Sequence, residues 1–165
     1  MKTPLVLRPW RTALWLAVLL LVPAWVSAAP PDLTAAGVIA TIDRSATYNL
    51  GPTGLRGWIY IDPSGGNIGP DGLMTDQSRQ ILVTVASVPG SAVLAVDDVI
   101  LGAMAGSSGT VPLFTSDSRK ALGAAIGDAE KNGAGTLRVK RWRAGTTTDV
   151  NIPMTASRKP NTSPA

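Results

Sequence analysis

One helical apolar stripe set among short alternating apolar runs is the feature that most limits what this chain can become. The stripe lies within residues 115–133, where Leu122, Ala125, Ile126 and Ala129 recur at helical spacing and Arg119, Lys120, Asp128, Glu130 and Lys131 fall mainly elsewhere. Thr115, Ser116 or Asp117 can cap its first free N–H groups, and Asn132-Gly133 is a stop signal. Gly123 and Gly127 weaken such a helix by roughly 1 kcal/mol each relative to Ala, which predicts close packing against a strand. Around it the period changes to two. Ile81, Val83, Val85 and Val88 predict a strand over residues 81–88, Val93, Leu94 and Val96 continue the core side, and Val99-Ile100-Leu101 is a short run buried on both faces. Residues 102–113 are Gly- and Ser-rich and read as a loop, whereas residues 136–142 alternate, turn at residues 143–146 and return over 147–152 as a hairpin.

The amino-terminal 28 residues belong to a different object. Lys2, Arg8 and Arg11 precede a 15-residue apolar run, residues 12–26, and then Ser27, Ala28 and Ala29. This is the pattern of a secretory signal peptide cleaved after Ala28 or Ala29. The run contains Pro23 and is short of the roughly 20 residues needed to span a bilayer, so no stable membrane insertion is expected after cleavage. Cleavage at Ala28 removes three of the 15 basic residues and none of the 11 acidic ones, so the formal charge falls from +4 to +1. A nearly neutral body gives no reason to expect nucleic acid or an anionic membrane as partner. Arg138, Lys140, Arg141 and Arg143 around Trp142 then read as the solvated face of one strand. The expected location is periplasmic or secreted, as a soluble protein.

The remaining 137 of 165 residues suffice for one domain. Its expected organisation is an extension over residues 29–47, a domain over 48–152 with an inserted loop at 62–79, and a disordered tail over 153–165. Within the extension, residues 33–43 carry Val38, Ile39 and Ile42, which suit either a short helix or a strand. The chain has no Cys and no His, which excludes disulfides, a Ser/His/Asp triad, a thiol nucleophile and nearly every zinc site. Asp97 and Asp98 are adjacent, and adjacent strand residues point to opposite faces, so they read as a polar turn rather than a catalytic pair. Asp62, Asp71 and Asp76 lie in a Gly-rich stretch whose spacing does not match a calcium loop and which lacks the closing Glu. No metal and no cofactor is expected.

The residues left to carry function surround Gly51, Gly54 and Gly57, ahead of an apolar run at residues 58–61. Glycines at the head of a strand allow successive N–H groups to converge on an anion, such as a peptide carboxylate, with Arg56 adding a charge-assisted bond. The same glycines serve equally to make a tight turn.

Four landmarks in this order carry a family resemblance. They are the Gly-rich loop before Trp58, Val-Pro-Gly-Ser-Ala at residues 88–92, Val-Asp-Asp-Val-Ile at residues 96–100, and the helix before Leu137. Over residues 48–152 the chain resembles the PDZ family, above all the bacterial PDZ-like modules of exported proteases and secretion proteins. Through Asn-Leu-Gly-Pro-Thr-Gly-Leu-Arg-Gly-Trp at residues 49–58 and Lys-Arg-Trp at 140–142, it is similar in particular to the amino-terminal PDZ-like domain of an uncharacterised family of large exported proteins. There the module precedes a much larger helical domain.

The resemblance implies an α+β fold: a small, partly open β-barrel or sandwich of five to six strands with one long and one short helix. It also implies a groove between the strand after the Gly-rich loop and the long helix, into which a peptide adds as a strand. Carried over, Gly54, Leu55, Arg56 and Gly57 hold the ligand carboxylate, Trp58, Ile59 and Tyr60 pair through their backbones, and Ser118 and Leu122 line the helix side. Ser118 stands where some PDZ domains place a ligand-selecting His, so an apolar ligand end is implied. The loop reads Gly-Leu-Arg-Gly, where the family has Gly followed by apolar, Gly, apolar. The expected function is binding of a partner peptide or C-terminus by strand addition, without catalysis. Two other readings stand beside it: a truncated or regulatory piece of an exported hydrolase system, and a structural domain whose groove is filled by its own residues 33–47 or by the inserted loop.

Overall fold

The computed structural model describes residues 30–45, 47–60, 79–86, 93–132 and 135–154. The expected signal peptide, the expected inserted loop except Arg79, the expected turn at Pro89-Gly90 and the tail residues beyond Met154 lie outside the described residues. The six strands are β1 (Tyr48–Asn49), β2 (Arg56–Trp58), β3 (Ile81–Val85), β4 (Val99–Ala105), β5 (Thr136–Arg143) and β6 (Thr146–Pro153), and the helix α1 (Ser118–Lys131) lies between β4 and β5. The strands form one open antiparallel sheet in the order β1-β2-β3-β4-β5-β6. The fold is therefore α+β; the described residues hold a single open sheet, one α-helix and 3-10 turns at Ile39–Thr41 and Gly51–Thr53.

Both faces of the sheet are covered. Strand alternation sends Leu55, Ile59, Ile81, Val83, Ile100, Leu137, Val139 and Ile152 to one face, where they form the main core with Leu122, Ala125 and Ile126 of α1. It sends Trp58, Leu82, Val99, Leu101 and Trp142 to the other, where buried Leu33 and half-buried Val38, Ile39 and Ile42 cover them. The apolar patch of residues 33–43 thus holds one short 3-10 helix, Ile39–Thr41, the helical of the two alternatives, and no strand. It is a strap of turns, held by Leu33 N–H donating to Gln80 Oε1 at 2.8 Å.

The helix starts and stops where its signals predict. Asp117 is the N-cap, accepting from the Arg119 amide at 2.9 Å, and Asn132 is the C-cap. Leu122, Ala125, Ile126 and Ala129 are all buried. The glycines depart from expectation, because a Cβ at Gly123 or Gly127 would meet nothing within 4 Å. They face open space rather than a strand.

Several strand readings are also revised. The residues expected to begin a loop at 102 continue β4 to Ala105, paired with Leu137, Arg138, Val139 and Lys140. Val85 and Val96, expected on the core side, are exposed, and β6 runs on to Pro153 where the tail was expected to begin. The basic residues of β5 are solvated only in part: Arg143 is exposed, while Arg138, Lys140 and Arg141 are half-buried and engaged. Lys140 pairs with Asp149 at 2.7 Å, Arg138 donates to the carbonyls of Gly109 and Ser107 and to Asn151, and Arg141 donates to the Val93 carbonyl.

Candidate functional site

The Gly-rich segment builds a closed turn. Asn49 Oδ1 accepts from the Gly51 amide at 2.9 Å, the Gly51 carbonyl from the Gly54 amide at 3.0 Å, and Thr53 Oγ1 from the Leu55 amide at 3.2 Å. Buried Thr53 also donates to the Leu50 carbonyl at 2.9 Å, so a single hydroxyl ties both ends of the turn together. Gly54 has φ +72°, a conformation that glycine adopts without a Cβ clash. The Gly54 and Leu55 amides, which a carboxylate would need, thus already donate within the turn. Arg56 and Gly57 follow as the first residues of β2, opposite Asn49 and Tyr48 on one side and Val85 and Val83 on the other. The Arg56 guanidinium donates from Nε and Nη2 to Thr47 Oγ1 and the Thr47 carbonyl, both at 2.9 Å.

Of the residues singled out in the sequence, Leu55, Ile59 and Leu122 come together in the main core. Gly57 backs onto the same core: a Cβ there would lie 2.9 Å from Ile81 Cγ2 and 3.2 Å from Leu50 Cδ1. Trp58 lies on the opposite face, with Tyr60 edge-on to it at a ring-centroid distance of 6.5 Å. Ser118, the first residue of α1, is fully buried, and its hydroxyl has no hydrogen-bond partner among the described residues. Leaving a buried hydroxyl unpaired costs about 1–3 kcal/mol.

Beside β2, the line that an added strand would take is already begun by the chain itself. β1 pairs with β2 through only two residue pairs, Tyr48 with Gly57 and Asn49 with Arg56. The turn that follows it reaches α1. A Cβ at Gly51 would sit 3.9 Å from Ile126, and Tyr48 is near enough to Arg119 to help raise its pKa, an effect due first to the hydrogen bond from Arg119 to Asp117. The strap of residues 33–42, one of the segments expected to fill this groove, lies on the other face of the sheet.

Among the ion pairs that sequence reading missed, one has a fully buried carboxylate. Arg143 Nε and Nη2 grip both oxygens of Asp98 at 2.5 and 2.6 Å, and Asp98, 1% exposed, also accepts from the Ala95 amide at 2.8 Å. The only sequence signal was an Asp just before a buried strand, because 45 residues separate the partners. Among the described residues, no group of three or more His, Cys, Asp or Glu is placed to hold a metal ion, and no helix is long and apolar enough to cross a membrane. No protein-family model, no curated protein and no solved structure matches the chain.

Proposed function

We propose that this chain is an exported, PDZ-like protein-binding module that takes an extended segment of a partner as an added strand beside β2, under α1, and does no chemistry of its own. The observation that carries the reading is β1: a two-residue strand paired with β2 where a ligand strand would run, followed by a turn whose Gly51 lies beside Ile126 of α1. Its ladder stops at Gly57, while β2 continues through Trp58 against Leu82 of β3. A partner strand extends β1's line past Trp58 and Ile59, or displaces β1 altogether. Because the Gly54 and Leu55 amides are engaged inside the turn, the favoured ligand is an internal extended segment rather than a free C-terminus. Main-chain pairing supplies the affinity of such a mode, and side-chain pockets supply the specificity.

The test is a peptide library screened against the protein in matched free-carboxylate and amidated forms. Binding in the micromolar range that is indifferent to amidation, with amide shifts at Trp58, Ile59 and Leu122, is the expected result. Loss of binding on amidation would restore carboxylate capture by the Gly-rich turn. The same placement of β1 favours a second reading, a structural domain whose groove is closed by its own Tyr48 to Gly51. A disulfide between Asn49→Cys and Arg56→Cys, the only one possible in this chain, locks β1 in place. Peptide binding that appears only after reduction shows displacement of β1, and a folded protein that binds no peptide in either state leaves the structural reading.

A further inference from the structure

On the sheet face away from α1, residues 37–44 and the turn at residues 95–98 border a wide-open cavity of about 610 Å³. Small-molecule sites span roughly 300–1,000 Å³. Two ion pairs edge the cavity: Arg44 with Asp97 at 2.5 Å, and Arg143 with Asp98. Ile39, Val96 and Trp142 supply its apolar wall. Val96 is 45% exposed there, and no hydrogen bond among the described residues engages the Trp142 indole N–H. Asp97 is held at φ +74°, so the backbone of this turn is shaped against ordinary preference.

We propose that this cavity binds a neutral saccharide, with a sugar ring against Trp142 and its hydroxyls donating to Asp97 and accepting from Arg44 and Arg143. Each pair sums to zero charge. An anionic ligand has to compete with an aspartate for its arginine, and a cationic ligand with an arginine for its aspartate, so neither gains what an unpaired charge would offer. The Arg44–Asp97 pair also sets N–H donors beside an exposed carboxylate acceptor, Arg143 adds donors alone because Asp98 is 1% exposed, and a hydroxyl both donates and accepts. Bonds to charged partners are the stronger kind, which offsets the desolvation of a polar ligand. The indole supplies a large apolar face with one donor at its edge, a match for a ring whose C–H face is apolar and whose rim is polar. Arg44 and Asp97 are 38% and 52% exposed, so water competes and the dissociation constant is on the order of 1 mM. No residue of β2 or α1 lines the cavity, so this proposal and the strand-binding reading stand or fall separately.

The experiment is titration of the ¹⁵N-labelled protein with cellotriose and triacetylchitotriose, both neutral, with anionic trigalacturonate, and with a blocked neutral tripeptide. The expected result is saturable shifts of the residue 95–98 and 142–145 amides with at least one neutral trisaccharide, and binding of trigalacturonate roughly tenfold weaker or less. Asp97→Asn, at an exposed position, leaves Arg44 unpaired. It weakens the neutral sugar and improves trigalacturonate, a reversal that general destabilisation cannot produce. The proposal is overturned if neither neutral sugar moves these amides at about twenty times the anticipated dissociation constant, if trigalacturonate binds the parent as tightly, or if the blocked peptide is the ligand that moves them.

Discussion

Two residues show how little room the backbone leaves at particular points. At Gly102 a Cβ would lie 1.9 Å from the Pro112 carbonyl oxygen and 3.0 Å from its carbonyl carbon, because the segment leading into α1 crosses β4 there and Phe114 N–H donates to the Leu101 carbonyl at 2.9 Å. The ladder register also shifts between Ile100 and Gly102. Gly102→Ala has no flexible neighbour to push aside, and the expected loss is about 3 kcal/mol or more, read as a fall in the urea midpoint with an unchanged m-value. Ala144 is the opposite case. It and Gly145 form the two-residue hairpin turn with φ of +46° and +85°, a conformation that Asn-Gly adopts readily and alanine resists. Ala144→Asn is expected to stabilise the protein by about 1 kcal/mol, raising the thermal midpoint by several degrees.

At the scale of elements, α1 is capped and striped well but carries two glycines that pack against nothing. Gly123→Ala and Gly127→Ala are each expected to add about 1 kcal/mol, and the double variant roughly the sum, because neither new methyl group would meet a neighbour. A double variant that gains nothing in thermal unfolding would mean that the helix face is strained in a way its backbone does not show. This helix and the β5–β6 hairpin were legible in the sequence because each is specified locally, by Asp117, by the Leu122-to-Ala129 stripe, and by alternation into an Ala-Gly turn. The second half of β4 was not legible, since Gly-Ala-Met-Ala has little strand preference and is held there by its partners on β5. β1 was hidden for the same reason: two residues in a Gly-rich stretch become a strand only when β2 lies beside them. Within the candidate site, alternation along β2 foretells that Ile59 and Trp58 face opposite ways. It cannot foretell that Thr53 would consume the Leu55 amide, or that Arg143 would find Asp98 across the fold.

At the scale of the whole molecule, the sheet is held by different physics on its two faces, and pH separates them. The α1 face is an apolar core without a titrating group at its centre. The opposite face carries, beside the strap, a polar layer in which Asp149 accepts from Lys140 Nζ at 2.7 Å and from the Val111 amide at 2.9 Å, while Asn151 and Arg138 tie the Ser107 carbonyl to the sheet. The Lys140 hydrogen bond first, and then the Val111 amide, hold the Asp149 carboxyl below its ordinary value of 3.8. Asp32, bonded by the hydroxyl and amide of Thr34, is depressed in the same direction. A carboxylate whose folded pKa is lowered contributes its stability above the unfolded value and loses it as pH falls through the folded one. Stability should therefore hold from neutral pH down to about 5 and decline through 4 toward 2, as protons bind the unfolded chain first. Asp149→Asn is expected to be less stable than the parent at pH 7 and to converge with it as pH falls below 3.8, the loop over residues 107–111 exchanging its amide protons faster in the variant at neutral pH. Parallel stability curves for the two proteins from pH 7 to pH 2 would show that this layer contributes through shape alone, and that the charge of Asp149 is incidental to the fold.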